Sequence, residues 1–399
     1  MTLAQQALAA RADGRPMDAA DAWRAALRLD PDDWRLALEL KQDLRAAYHY
    51  PDSDPQFRRA ARHLPDAEWR QHYTALYAFH GTDLDALHAR STALLARHPA
   101  DPALHTLLGD VARQRRDWDA AVHHFDAACA ISPTPENCAK QAGAHRYQTF
   151  AAALAQAPGR GEPYAVLVLS LDRNDERWAE LQRQFTGCRA PVLRLAGIEG
   201  SRLAPPAVRR LTGQADAPRG TLGCFLSHAA AWQAVVDRNL PHALVVEDDV
   251  IPLVDLPGTV GALPLPPDYE LCFVNDRLDH ATGPVLTAQP LTDVMRSFPP
   301  DDNAPGGDGY FISQAGARTL LDWVADDGFA GDVDWRVVAY GLPPGTALPG
   351  YAGQELPRLH ATLMPRRPLR AYGMGPALIR TVGVSSDRED QNRLAEGRR

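Results

Sequence analysis

Four prolines, Pro31, Pro65, Pro99 and Pro133, stand 34 residues apart, and this spacing constrains the first third of the chain more tightly than any other feature. Side chains recur with them. Ala19, Ala20, Trp23, Ala26, Leu27 and Leu29 precede Pro31, and Ala121, Val122, Phe125, Ala128, Cys129 and Ile131 stand at the same distances before Pro133. Phe57, Ala60 and Ala61 keep part of the pattern before Pro65, as do Leu94 and Leu95 before Pro99. Small residues let two antiparallel helices approach closely, and an aromatic two turns before the proline fills the space beside them. The proline then stops the second helix, because it has no N–H to donate and its ring clashes with the preceding turn.

A 34-residue unit closed by a helix-stopping proline resembles the tetratricopeptide repeat, and Leu108-Gly109 resembles the Leu-Gly of that repeat's first helix. The expectation is an all-α solenoid over residues 1–150, with its two middle repeats degenerate. The plainer alternative is an ordinary helical domain with coincident prolines. Such arrays dock partners rather than do chemistry, so a protein partner is expected here. A Gly/Pro-rich linker is expected over 151–163, and a second domain over 164–399.

Net charge of −8 argues against a general nucleic-acid or anionic-membrane binder. Of 42 basic residues only Lys41 and Lys140 are lysines, so the chain after residue 140 can supply no Schiff-base or P-loop lysine. Any phosphate contact there falls to arginine. Five scattered cysteines without a CxxC pair read as reduced thiols. No run of eighteen apolar residues appears, so no transmembrane segment is expected. Together these point to a cytoplasmic protein, with peripheral attachment at an inner membrane left open.

From residue 164 the period changes. Tyr164-Ala-Val-Leu-Val-Leu169 reads as a buried strand, a charged helix starts near Asp175, and a second strand is expected at Pro191 to Leu195. Gly223-Cys-Phe-Leu-Ser-His228 opens an amphipathic helix through Val236, and Ala243 to Val246 is a further strand ending in Glu247-Asp248-Asp249. Strands alternating with helices imply a mainly parallel sheet with its ligand site at the strands' C-terminal ends. Alternation along a strand would place Glu247 and Asp249 on one side and Asp248 on the other. Two carboxylates on one side suit a hard divalent cation, and the bland reading is a solvated acidic cap.

Four motifs follow in order: Val168-Leu-Ser-Leu-Asp-Arg-Asn-Asp-Glu-Arg177, Gly223 to His228, Val245-Val-Glu-Asp-Asp-Val250 and Asp308-Gly-Tyr-Phe-Ile-Ser313. Together they closely resemble glycosyltransferase family 25, over roughly residues 163 to 345 and with the tail residues Ser385-Ser386-Asp387 as a further match. The resemblance implies a GT-A-like α/β fold, a UDP-sugar donor (usually UDP-galactose), inversion at the anomeric carbon, and Mn²⁺ or Mg²⁺ held by Glu247 and Asp249 beside Asp248. It places Leu171, Asp172, Arg173 and Arg177 by the nucleotide, where the arginines could pair with the diphosphate; Asp172 and Arg177 could equally stabilise their own helix. Gly223 would permit a tight turn, with Ser227 or His228 reaching the donor from a helix N-terminus. The alternative has Cys224 and Phe225 in the core, Ser227 as a cap and His228 as a packed histidine.

Inversion needs a base for the acceptor hydroxyl. The candidates are Asp308 and, in Gly331-Asp-Val-Asp-Trp335, Asp332 or Asp334, with Asp334 favoured by the resemblance and an N-cap role as its plain alternative. His360 is a remote candidate for a third metal ligand. The proline-rich segment 251–267 and residues 299–307 are expected to flank the acceptor groove. The acceptor would be a lipopolysaccharide or other glycan. Two other readings remain: a protein acceptor selected by the repeats, and a repeat scaffold carrying a silent transferase domain.

Overall fold

The computed structural model describes residues 1–47, 55–69, 84–157, 161–279, 285–297 and 306–381. They divide into two compact units, Met1–Gln148 and Thr149–Thr381. The tail Ser385-Ser386-Asp387 and most of 299–307 lie outside the described residues.

The first unit is helical. Its described helices are α1 (Leu3–Ala12), α2 (Pro16–Leu29), α3 (Trp34–Ala46), α4 (Pro55–Ala61), α5 (Leu84–Arg97), α6 (Pro102–Gln114), α7 (Trp118–Ile131) and the start of α8 (Pro135–Gln156). Each periodic proline stands just beyond a helix end: Pro31 after α2, Pro65 after α4, Pro99 after α5 and Pro133 after α7. The recurring small residues are buried where neighbouring helices meet, among them Ala19 and Ala20 beside Trp23, and Ala121 beside Phe125. At Gly109 a β-carbon would fall 2.7 Å from the Phe125 ring, so the glycine sets how closely α6 and α7 pack.

One expectation fails in this unit. Cys129 and Cys138 are joined in a disulfide, with Cα atoms 5.2 Å apart, whereas Cys188, Cys224 and Cys272 remain thiols. The spacing looked unpaired because the reversal at Ser132-Pro133, between α7 and α8, is what brings two helical positions together.

The second unit is α/β. Its strands are β1 (Ala165–Ser170), β2 (Val192–Ala196), β3 (His242–Glu247), β4 (Val250–Pro252), β5 (Leu271–Phe273), β6 (Thr287–Pro290), β7 (Gly309–Ser313), β8 (Ala371–Gly375) and β9 (Ile379–Thr381). Seven form one sheet in the order β2-β1-β3-β7-β5-β8-β6, and β4 pairs with β9 in a separate ribbon. Five of the seven run the same way; β7 is antiparallel to both β3 and β5, and β6 is antiparallel to β8. The sheet is thus mixed but mostly parallel. Strand β1 is buried along its whole length, as a central strand covered on both faces must be.

The helices of this unit are α9 (Asp175–Gln184), α10 (Pro205–Thr212), α11 (Arg219–Asp237), α12 (Leu291–Ser297), α13 (Gln314–Asp327), α14 (Val333–Gly341) and α15 (Gly350–His360). Phe225 and Trp232 of α11 share one core with Leu167, Val245 and Ile312 from the sheet and with Leu320 and Val337. Helix α11 begins four residues before Gly223, following Pro218, so Gly223 lies inside the helix rather than at a turn that opens it.

Glu270, 1% exposed at the start of β5, is held by both terminal nitrogens of Arg367 at 2.6 and 2.5 Å, by the Arg370 amide and by the Thr319 hydroxyl. Burial disfavours its charge, but these donors outweigh burial and bring its pKa to about 2. A carboxyl with a depressed folded-state pKa contributes stability above its unfolded pKa and loses it as pH falls. Glu270→Gln is therefore expected to cost roughly 2–3 kcal/mol at pH 7. The difference from wild type in thermal melts should shrink steadily between pH 5 and pH 2.

Candidate active site

Three strand ends meet at one edge of the sheet. Strand β3 runs out at Glu247, and Asp248 and Asp249 form the turn that follows it. Because β7 is antiparallel to β3 and β5, its first residues lie beside both C-terminal ends: the Glu247 amide faces the Asp308 carbonyl at 3.4 Å, and the Val274 amide donates to the Gly309 carbonyl at 3.0 Å. Strand β9, opposite β4, brings Thr381 to the same place.

The acids at this edge have distinct environments. Asp248, 6% exposed, takes Asn174 Nδ2 at 3.1 Å and faces Arg177 Nη1 at 3.4 Å, which ties the turn to α9. Asp308, also buried, accepts from Asn275 Nδ2 at 2.7 Å and Arg277 Nε at 2.9 Å, and from the Thr381 hydroxyl. Glu247 faces His228 Nε2 at 3.4 Å and is about one-third exposed. Asp249 differs from these three: its Oδ1 is buried with no hydrogen-bond partner among the described residues. Burial, then the charges of Glu247 and Asp248, push its pKa well above the carboxylate range, against the pull of Arg177. Strand alternation stops at Glu247, so the separation of Asp248 from its neighbours comes from the turn and from Asn174.

Asp334 lies in the first turn of α14. A β-carbon at Gly307 would sit 3.4 Å from Asp334 Oδ1 and 3.1 Å from His228 Nε2, so these two groups converge on the Gly307 backbone. His228 is fully buried, and burial drives its pKa to about 4 despite the opposing pull of Asp334 and Asp308. The imidazole is therefore neutral at physiological pH.

The remaining expected residues are placed as follows. Arg177 joins the cluster through Asp248, whereas Arg173 faces Glu199 at 3.3 Å. Leu171 is packed against Gly197, and the Leu171 and Asp172 carbonyls both accept from Arg194 Nη2. Gly223 is a contact point of α11: its β-carbon would fall 2.5 Å from the Ile198 carbonyl oxygen and 2.7 Å from the Gly200 nitrogen. Ser227 donates to the Gly223 carbonyl at 2.7 Å and accepts from the Ile198 amide at 2.8 Å, pinning the same approach. His228 therefore sits well inside α11 rather than at a helix N-terminus. Asp332 occupies the N-cap position of α14 without a side-chain cap bond. His360 Nε2 lies 2.9 Å from the Ala339 carbonyl and 3.1 Å from that of Leu342.

Asn275, Arg277 and Thr381 fall outside the sequence motifs, and Asn174 and Tyr310 lie within two of them without an assigned role. Asn275 and Arg277 had a usable signal, because they follow the short apolar strand Leu271–Phe273 as the acids follow β3. Thr381 had none, since its place depends on β9 returning beside β4.

The donors fit a hard divalent cation. They are carboxylate oxygens, one of them buried and unpartnered, under like-charge pressure that a dication would relieve. A softer set lies beside them: ligand atoms of Cys224, His228 and Glu247 fall within 4.8 Å of one another.

Residues 164–254 match the sequence profile of the family described as Glycosyltransferase family 25 (LPS biosynthesis protein). The segment holds β1, α9, α11 and the Glu247-Asp248-Asp249 turn. The human procollagen galactosyltransferase 2 is 26% identical over 174 residues, covering 39% of this chain and 27% of the relative. The Danio rerio procollagen galactosyltransferase 1 is 25% identical over 231 residues, covering 54% of this chain and 35% of the relative. The lacto-N-neotetraose biosynthesis glycosyltransferase LgtE of Neisseria meningitidis serogroup B is 30% identical over 146 residues, covering 33% and 52%. The chain thus spans from about a quarter to half of these relatives. These matches support a family 25 glycosyltransferase. No helix among the described residues is long and apolar enough to cross a membrane.

Proposed function

We propose that this chain is a metal-dependent inverting glycosyltransferase that moves a hexose, galactose first among the candidates, from a UDP-sugar to a hydroxyl of a lipopolysaccharide or other glycan. The observation that carries the reading is the turn after β3, where Asp249 keeps a buried, unpartnered oxygen among like charges inside the family 25 segment.

Asp249 and Glu247 would hold Mn²⁺ or Mg²⁺, which when bound neutralises the leaving diphosphate. The protein's own groups divide the other work. Arg177, anchored on Asp248, offers its planar guanidinium toward the diphosphate. Asp334, favoured by the order of the sequence motifs, is the candidate for the base that takes the acceptor hydroxyl's proton, while both Asp308 oxygens accept hydrogen bonds within the fold. Asp308 instead braces the cluster by linking the ends of β5, β7 and β9.

The names of the relatives favour a second acceptor class, since two are named procollagen galactosyltransferases. In that reading the chemistry is unchanged, and the helical unit, taken as a tetratricopeptide-type solenoid, selects a polypeptide.

The test is release of UDP from UDP-galactose, UDP-glucose and UDP-N-acetylglucosamine, with and without Mn²⁺. Metal-dependent turnover of one donor, accelerated by glycan hydroxyls, is the expected result. Failure to bind any UDP-sugar with or without metal would overturn the reading and leave a repeat scaffold.

A further inference from the structure

A buried relay leads into the acid cluster from behind. The Tyr310 hydroxyl lies 2.9 Å from Trp232 Nε1 and 2.9 Å from His228 Nδ1, with the tyrosine and histidine rings stacked at 5.7 Å. All three side chains are buried. An indole N–H can only donate, so Trp232 occupies a lone pair of the phenol oxygen. The phenol's own proton then needs an acceptor, and among the described residues the one it meets is His228 Nδ1. A neutral imidazole whose Nδ1 accepts carries its proton on Nε2. That nitrogen faces Glu247 Oε1 at 3.4 Å.

We propose that the Trp232–Tyr310 pair locks His228 as a neutral Nε2–H donor, and that this makes it a positioning residue for Glu247. It is neither a metal ligand nor a proton acceptor. The position of Cys224, His228 and Glu247 within 4.8 Å invites the opposite assignment, a thiolate–imidazole–carboxylate metal site. Ligation through Nε2 would move the ring proton to Nδ1. Two N–H groups would then point at the Tyr310 oxygen, and the buried phenol proton would lose its acceptor, a costly arrangement. The consequence reaches function through Glu247. An N–H held by two buried aromatic groups fixes one Glu247 carboxylate oxygen, the way outer hydrogen bonds orient a metal ligand. The orienting role rests on the proposed function, whereas the tautomer does not.

The experiment uses metal-free, ¹⁵N-histidine-labelled full-length protein. Nitrogen shifts should show an unprotonated Nδ1 and a protonated Nε2 for His228. Trp232→Phe, which frees a lone pair of the phenol oxygen, should weaken that preference, and Tyr310→Phe should release it to a mixture. Mn²⁺ binding by calorimetry supplies the second readout. His228→Gln keeps an N–H near the Nε2 position and should bind Mn²⁺ within about threefold of wild type, whereas His228→Asn and His228→Ala should lose 10- to 100-fold, the range typical of outer-shell partners. A protonated Nδ1 in the wild type, or a glutamine variant as weak as the alanine one, would overturn the inference. Absence of Mn²⁺ binding by the wild type would instead overturn the cofactor proposal and the orienting role with it, and the tautomer would still be decided by the nitrogen shifts.

Discussion

Asp249→Asn is expected to lower transferase turnover on the order of 10³-fold while raising the melting temperature of the metal-free protein. The two effects share one cause. Asp249 holds a buried oxygen without a partner, and Glu247 and Asp248 oppose its ionisation. A carboxyl whose folded-state pKa is raised weakens the fold as pH climbs past its unfolded value, so the metal-free protein bears this cost at pH 7. The neutral amide removes that cost, and relief of about 1 kcal/mol corresponds to a shift of a few degrees in a unit this size. It also removes the charge that a divalent cation needs. Mn²⁺ should stabilise wild type in proportion to its concentration and leave the variant unchanged. Melts with and without Mn²⁺, beside UDP release, check both halves. A variant that melts lower than wild type without metal would refute the like-charge account.

Gly223→Ala is expected to destabilise the second unit by about 3 kcal/mol or more, and to lower its melting temperature by roughly 10 °C. The added carbon would fall 2.5 Å from the Ile198 carbonyl oxygen and 2.7 Å from the Gly200 nitrogen, and both obstacles are backbone. Neither can rotate away as a side chain would. The Ser227 hydroxyl, which bridges the Gly223 carbonyl and the Ile198 amide, would be pulled apart by the same displacement. Gly143 in α8 is the internal control, with nothing within 4 Å, and alanine there should be neutral or mildly stabilising. Circular dichroism melts of the two variants make the comparison. A Gly223→Ala protein that melts like wild type but fails to bind UDP would restore the donor-contact role expected from the motif alone.

Much of the candidate site was legible because strands announce their ends. A buried apolar run followed abruptly by acids marks where a chain leaves a sheet, and Glu247, Asp248 and Asp249 fall there. Antiparallel β7 was harder, since Gly309-Tyr-Phe-Ile-Ser313 carries no sign of direction. Its reversed course puts Asp308 beside Glu247 and the Tyr310 hydroxyl under His228. The motif at Gly223 misleads on its own. Glycine suggested a turn, but here it serves a helix crossing, and the two uses look identical until the neighbouring loop is in place.

By itself the sequence determined the helical period of the first unit, the alternation of strands and helices in the second, and the candidate acids at one strand end. These follow from hydrophobic spacing and from proline and glycine, which act on neighbours along the chain. Only the tertiary structure decided which acid keeps an unpartnered oxygen, which nitrogen of His228 faces Glu247, and that Cys129 meets Cys138. Desolvation and hydrogen-bond pairing depend on groups as far apart as residues 228 and 310 or 308 and 381, and no local pattern encodes such meetings.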